Sequence, residues 1–156
     1  DQYSHAGKVL CDNGYIRGVA PDDQWWHRHL GESPYLPIKS RCIVDVHHKV
    51  QQPGAPRPLM GEEFLAARSV TRAANRQFWT LHPDHALLLT YISISKAMCH
   101  RECWLAYAAE IAKVRSDMSD ADTARFQATA RQQGLARMLT QIDQILNVIF
   151  CVEESR

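Results

Sequence analysis

His82-Pro83-Asp84-His85-Ala86-Leu87-Leu88-Leu89-Thr90-Tyr91-Ile92 is the stretch that decides the fold class. Proline at a first helical position has no N–H to leave unpaired, its fixed φ suits the opening turn, and an acid beside it favours the positive end of the helix. Downstream, Leu88, Tyr91, Ile92, Met98, Leu105, Ala109 and Ala112 recur at helical spacing as far as about Val114. The spacing predicts one helix over 83–115.

Toward the C-terminus, Ser119-Asp120-Ala121-Asp122 has the form of a capping box, with Ser119 as N-cap. A further helix over 119–150 carries Phe126, Ala130, Leu135, Met138, Leu139, Ile142, Ile145, Leu146, Ile149 and Phe150. Gly134 in its middle costs roughly 1 kcal/mol against alanine, which so broad a stripe tolerates. Joined by a short polar turn, the two long helices are expected to pack antiparallel. Leu88, Ile92, Leu105, Met138, Ile142, Ile145 and Ile149 would then lie between them.

Toward the N-terminus, Glu62 and Glu63 suit the first turn of a helix over 61–75, with Asn75 as terminator. Gln51–Pro58, with Pro53, Gly54, Pro56 and Pro58, reads as a loop. Arg41–Val50, centred on Cys42-Ile43-Val44-Asp45-Val46, is the best strand. Residues 1–40 are punctuated by Gly and Pro and read as irregular. The expected fold class is therefore mainly α: an irregular N-terminal segment with at most a short strand or hairpin, then a helix and a long antiparallel two-helix C-terminal half. One domain over 1–156 is expected, with residues 1–60 its irregular, strand-containing part and 61–156 its helical part.

The bulk figures agree with a folded chain. With 156 residues, 46% apolar and 22% charged, it can bury roughly 68–70% of its unfolded surface. No apolar run approaches the ~18–20 residues of a membrane span. A net charge of +1 gives no global attraction to nucleic acid or acidic lipid. The sequence opens at Asp1 without Met, as after removal of a leader or excision from a longer chain; the compartment stays open, with a secreted or periplasmic location slightly favoured. Five scattered cysteines cannot all pair internally.

Histidine is the unusual residue, eight in all, six of them in pairs or near-pairs: His27 with His29, His47 with His48, and His82 with His85. Neutral imidazole is a common transition-metal ligand and a natural base near neutral pH. A strand ending in His47-His48 puts one imidazole on each face, so one side chain can bind a metal while the other activates water. The alternative is a plain strand end, with one imidazole buried and the other solvated. Cys99, His100 and Cys103 share a helix stretch but lack the turn that structural zinc sites place between ligands, and two small buried thiols suffice to explain them. Arg68, Arg72 and Arg76 recur every four residues and form one basic ridge on the expected 61–75 helix, placed to follow phosphates or simply to face water. Trp25 and Trp26, flanked by His27 and Arg28, suit either a partner-binding surface or a lid on the core.

Val44-Asp45-Val46-His47-His48 resembles the opening of the HNH, or His-Me finger, nucleases, in which a strand delivers a His-His or Asp-His pair. The chain of that family continues through a loop to an Asn and then to a His on a following helix. The resemblance covers residues 41–89. It implies His48 as general base, Asn75 as the residue orienting it, and His47 and His85 as ligands to a divalent metal, Zn, Ni or Mg, that stabilises the leaving oxygen. The insertion between His48 and Asn75 departs from that family, which has a hairpin where a helix is expected here.

Two functions follow. One is a metal-dependent phosphodiester hydrolase acting on nucleic acid, such as the nuclease domain of a bacterial toxin, with Arg68, Arg72 and Arg76 on the substrate. The other is a non-catalytic interaction protein, an inhibitor, immunity or accessory protein, that meets a protein partner through Trp25 and Trp26. The sequence leaves open whether the chain is an enzyme.

Overall fold

Helix α1, Gln2–Asp12, is the first element of a computed structural model that describes residues 2–18, 29, 31–39, 42–47, 49 and 56–150. The chain divides into two units, Asp1–Gly54 and Ala55–Arg156.

In the first unit α1 is followed by β1 (Tyr15–Arg17), β2 (Glu32–Pro37) and β3 (Val44–His47), an antiparallel sheet of order β1-β2-β3. Arg17 stands opposite Tyr35, and Glu32 opposite His47. Alternation along β2 turns Ser33 and Tyr35 inward, where both are buried. Tyr3 on α1 donates its hydroxyl hydrogen bond to Ser33 Oγ, and an Arg17 guanidinium nitrogen donates to the same oxygen at 2.9 Å. Gly7 lets the helix approach this closely, because a Cβ there would collide with the Tyr35 hydroxyl.

The second unit begins with α2 (Gly61–Ala66), continues through the hairpin β4 (Arg68–Ala73) and β5 (Arg76–Leu81), and ends in four helices. These are α3 (Pro83–His100), α4 (Leu105–Ser116), α5 (Asp120–Gln132) and α6 (Ala136–Phe150). Helix α3 is central and packs against α4, α5 and α6. Its Leu88, Tyr91, Ile92 and Ile94 meet in the core with Ile111, Phe126, Met138, Leu139, Ile142 and Leu146, all 7% exposed or less. Each such aliphatic side chain contributes about 1.5–3 kcal/mol by leaving water.

The expected fold class is overturned in three places. The N-terminal part is a helix and a three-stranded sheet, not an irregular segment with at most a short strand or hairpin. The expected 61–75 helix stops at Ala66 and gives way to a hairpin. Each expected long helix is two. Helix α3 ends where Arg101 takes a left-handed φ of 58° and its N–H bonds back to Ala97 and Met98. The last helix breaks at Gly134, φ 71°, where the Leu135 N–H reaches the Ala130 carbonyl at 2.8 Å. That is the glycine helix terminus, and it prevails over the apolar stripe that runs through it.

The breaks re-phase the core. Leu105 and Ile149, expected inside, are 56% and 40% exposed, while Ala108 and Ile111 are buried on α4 instead. The capping box does form: Ser119 Oγ accepts from Asp122 N–H at 3.2 Å, and the Asp122 carboxylate accepts from Ser119 N–H. A part-buried polar triad ties three helices together. The Tyr91 hydroxyl donates to Asp143, and Arg115 donates to both Asp143 oxygens at 3.2 and 3.0 Å and to the Tyr91 oxygen at 3.1 Å. Burial first, then the adjoining Asp143 carboxylate, push the Tyr91 phenol well above its ordinary range. No helix among the described residues is long and apolar enough to cross a membrane.

Candidate functional site

In the first unit, alternation leaves Glu32, Asp45 and His47 on the sheet face away from Ser33 and Tyr35. His47 is exposed at the edge of β3, and its Nδ1 lies 3.5 Å from Glu32 Oε2 across the register pair. Asp45 is exposed opposite Pro34. His48, Trp25 and Trp26 lie outside the described residues.

His85 sits in the second unit and has a structural job there. Its Nδ1–H donates to the Phe64 carbonyl at 2.9 Å, and its ring stacks on that of Phe64 with centroids 4.5 Å apart. His82 is the N-cap of α3, its Nδ1 accepting from Asp84 N–H at 3.3 Å. The buried Asp84 carboxylate accepts from Arg125, which also donates to Asp122. These hydrogen bonds, to Asp84 first and Asp122 second, hold the guanidinium protonated. Among the described residues no three His, Cys, Asp or Glu side chains form a group able to hold a metal ion.

The arginines lie elsewhere than expected. Arg68 and Arg72 are on β4 and Arg76 is on β5. The β register puts Arg68 and Arg72 on one face with Val70, Gln77 and Trp79, and Arg76 on the other with Thr71, Phe78 and Thr80. The helical ridge is thus a two-faced ribbon. Val70-Thr71 and Phe78-Trp79-Thr80 are strand formers, and between them Ala74 and Asn75 turn with φ of 47° and 60°. Two consecutive positive φ values close a two-residue hairpin, so Asn75 is a turn residue rather than a helix terminator.

From Val70 to Thr80 every residue is exposed, Trp79 at 71% and Phe78 at 48%. The Arg68 guanidinium carbon stands 5.9 Å from the Trp79 ring centroid, within cation–π range. Ser69, Thr71 and Thr80 hydroxyls link across the other face at 3.2 and 3.0 Å. At the turn, Arg72 through Gln77 line an open concavity of about 560 Å³. Residues 68–81 contain three arginines and no acid. Trp79, Phe78 and Gln77 are the members that sequence reading missed. The signal was present in the alternating β-branched and aromatic types around Ala74-Asn75.

The family model for an uncharacterised nucleotidyltransferase matches residues 1–150, nearly the whole chain. No curated protein and no solved structure matches. The match displaces the HNH, or His-Me finger, resemblance, and with it the family support for His48 as base, Asn75 as its orienting residue, and His47 and His85 as metal ligands.

Proposed function

We propose that this chain, which belongs to the uncharacterised nucleotidyltransferase family, takes part in nucleotidyl transfer, with the β4–β5 ribbon as its phosphate-binding surface. In such a reaction an acceptor hydroxyl oxygen forms a bond to the α-phosphorus of a nucleoside triphosphate. The bond from that phosphorus to the bridging oxygen breaks, pyrophosphate leaves with the electron pair, and the hydroxyl proton passes to a base or to water. The chemistry gathers negative charge, so a protein accelerates it chiefly by positioning and by fixed positive charge.

The observation that carries the reading is the family match over residues 1–150. The ribbon supports it, since Arg68, Arg72 and Arg76 offer planar, permanently charged forks to phosphate oxygens with no acid among them to compete. Nucleotidyl transfer ordinarily draws on a divalent cation to neutralise phosphate charge. Among the described residues no group of three or more His, Cys, Asp or Glu is placed to hold one.

The test is incubation with each α-labelled nucleoside triphosphate, with Mg²⁺ or Mn²⁺, in the presence of a total nucleic-acid extract. Label transferred to an acceptor with matching pyrophosphate release supports the reading. Label released only as free nucleoside monophosphate would make the reaction a hydrolysis, with water as the acceptor. No turnover of any triphosphate sinks it.

A further inference from the structure

We infer that the β4–β5 hairpin binds a single-stranded nucleic acid, as the acceptor of the transfer reaction, by stacking bases on Trp79 and pairing phosphates with Arg68, Arg72 and Arg76. This rests on the nucleotidyl-transfer reading and goes beyond it by naming the acceptor class.

Charge is the first argument. Fourteen residues, 68–81, carry three arginines and no carboxylate in a chain whose net charge is only +1. The positive charge is therefore local, as an anion-binding surface requires. Aromatic exposure is the second. Trp79 is 71% exposed and Phe78, on the opposite face, 48%. A folded chain gains nothing by holding two large rings in water on a ribbon with no core of its own. Every base has a π-face, so such rings make a sequence-tolerant platform, and arginine beside one adds both cation–π and phosphate contacts. The Arg68–Trp79 pair already has that arrangement.

Shape separates a strand from a free nucleotide. Small ligands are held in concave pockets that bury most of their surface. The Trp79 face is an open ribbon, exposed from Val70 to Thr80. Arg68 and Arg72 are four residues apart on β4, about 13 Å of strand rise at 3.3 Å per residue. That spacing suits phosphates on alternate nucleotides of an extended strand better than the contiguous phosphates of one triphosphate. The concavity at the turn, with Arg72, Asn75 and Arg76 around it, is a polar seat for one further sugar-phosphate.

Fluorescence anisotropy of labelled oligo(U), oligo(dT) and a mixed-sequence duplex, with the full chain and neither triphosphate nor metal added, tests this apart from catalysis. Single strands should bind, and more weakly as salt rises from about 50 to 200 mM. Trp79→Ala should weaken oligo(U) between about five-fold and a hundred-fold, the range of a single base stack. An Arg68→Gln, Arg72→Gln, Arg76→Gln variant should flatten the logarithmic salt slope by about 0.7 for each phosphate that is no longer neutralised. Circular dichroism of both variants should match the unmodified chain, since the ribbon lies outside the core. Oligo(U) against oligo(dT) decides between RNA and DNA as the strand. Preference for the duplex, or unchanged affinity in both variants, overturns the inference. Strand binding without any nucleotidyl transfer leaves the binding surface standing and sinks the transfer reading, and the acceptor role with it. Transfer to a small-molecule hydroxyl, with no strand bound at low salt, does the reverse.

Discussion

Helices α3 to α6 and the β4–β5 hairpin belong to one unit of the same chain, yet they use their large side chains in opposite ways. In the helices Tyr91, Phe126, Ile92 and Leu88 are 2% exposed or less, and the Tyr91 hydroxyl is matched to Asp143 and Arg115. In the hairpin Trp79, Phe78 and Val70 are at least 48% exposed. Side chains of one chemical class fill the core in the first region and face solvent in the second. An exposed ribbon of this kind must be held by its ladder, its turn and the ring–guanidinium contact. Its three arginines and lack of acid are what the proposed polyanion-binding role rests on.

The largest expected effect breaks the comparison directly. Phe126→Ala should cost about 3–5 kcal/mol in urea unfolding, because the ring is fully buried against Tyr91, with centroids 5.8 Å apart. Trp79→Ala removes a larger ring and should cost about 1 kcal/mol or less, the scale of a cross-strand pair and an exposed cation–π contact. Equal losses would mean that the hairpin is part of the cooperative core.

A middle-sized effect sharpens the helical side. Asp143→Ala strands the Tyr91 hydroxyl and the Arg115 charge and should cost about 1–3 kcal/mol. The loss stays below that of a fully buried pair because the Arg115 and Asp143 side chains are 28% and 29% exposed. The same triad sets an alkaline limit. Burial and the Asp143 carboxylate raise the folded phenol above its ordinary value of 10.0, so above that pH the unfolded chain releases the proton while the folded chain keeps it. Stability is therefore present in full below pH 10 and declines as pH rises beyond it. Chemical unfolding followed against pH should show that decline, and Tyr91→Phe should make it shallower. An unaltered slope in Tyr91→Phe would mean that another group sets the limit.

What the sequence disclosed and withheld follows the same divide. Two helix starts were legible because they are local: Pro83 at a first turn, and Ser119 with Asp122 in a capping box, are each written within a few residues. Helix ends were not. Gly134 reads as a tolerated interruption until its left-handed φ is seen, and nothing about Arg101 announces that it too is left-handed. Helix α1 and the sheet of the first unit were hidden for another reason. Gly7 signals a breaker in a sequence, but here it is the contact that lets α1 lie on Tyr35, which only the fold reveals. The hairpin was misread through coincidence, since Arg68, Arg72 and Arg76 are spaced by four residues and mimic a helical ridge. The phosphate-binding role expected for those arginines carries over to the ribbon as a proposal, on two faces instead of one. The metal roles of His47 and His85 came with a family that the chain does not match, and His85 is engaged with Phe64.

The smallest effect concerns the turn, and it should have the opposite sign. A two-residue turn with positive φ at both centres favours Asn-Gly or Asp-Gly, and this chain has Ala74 followed by Asn75, at 47° and 60°. Asparagine tolerates the left-handed region, whereas alanine there suffers a Cβ clash of roughly 1–2 kcal/mol. Ala74→Gly removes the clash but frees the unfolded chain, which takes back about 0.4–1 kcal/mol. The net gain should be about 0.5 kcal/mol, or a two- to three-fold rise in protection of the β4–β5 amides in hydrogen exchange. Global unfolding should barely move, because the hairpin opens locally without the core. A strand-binding ribbon should also bind slightly tighter once its turn is relaxed, because less ordering remains to be done on contact. Lower amide protection in Ala74→Gly would show that the turn has another geometry, and the two faces assigned to the arginines and Trp79 would then have to be reassigned.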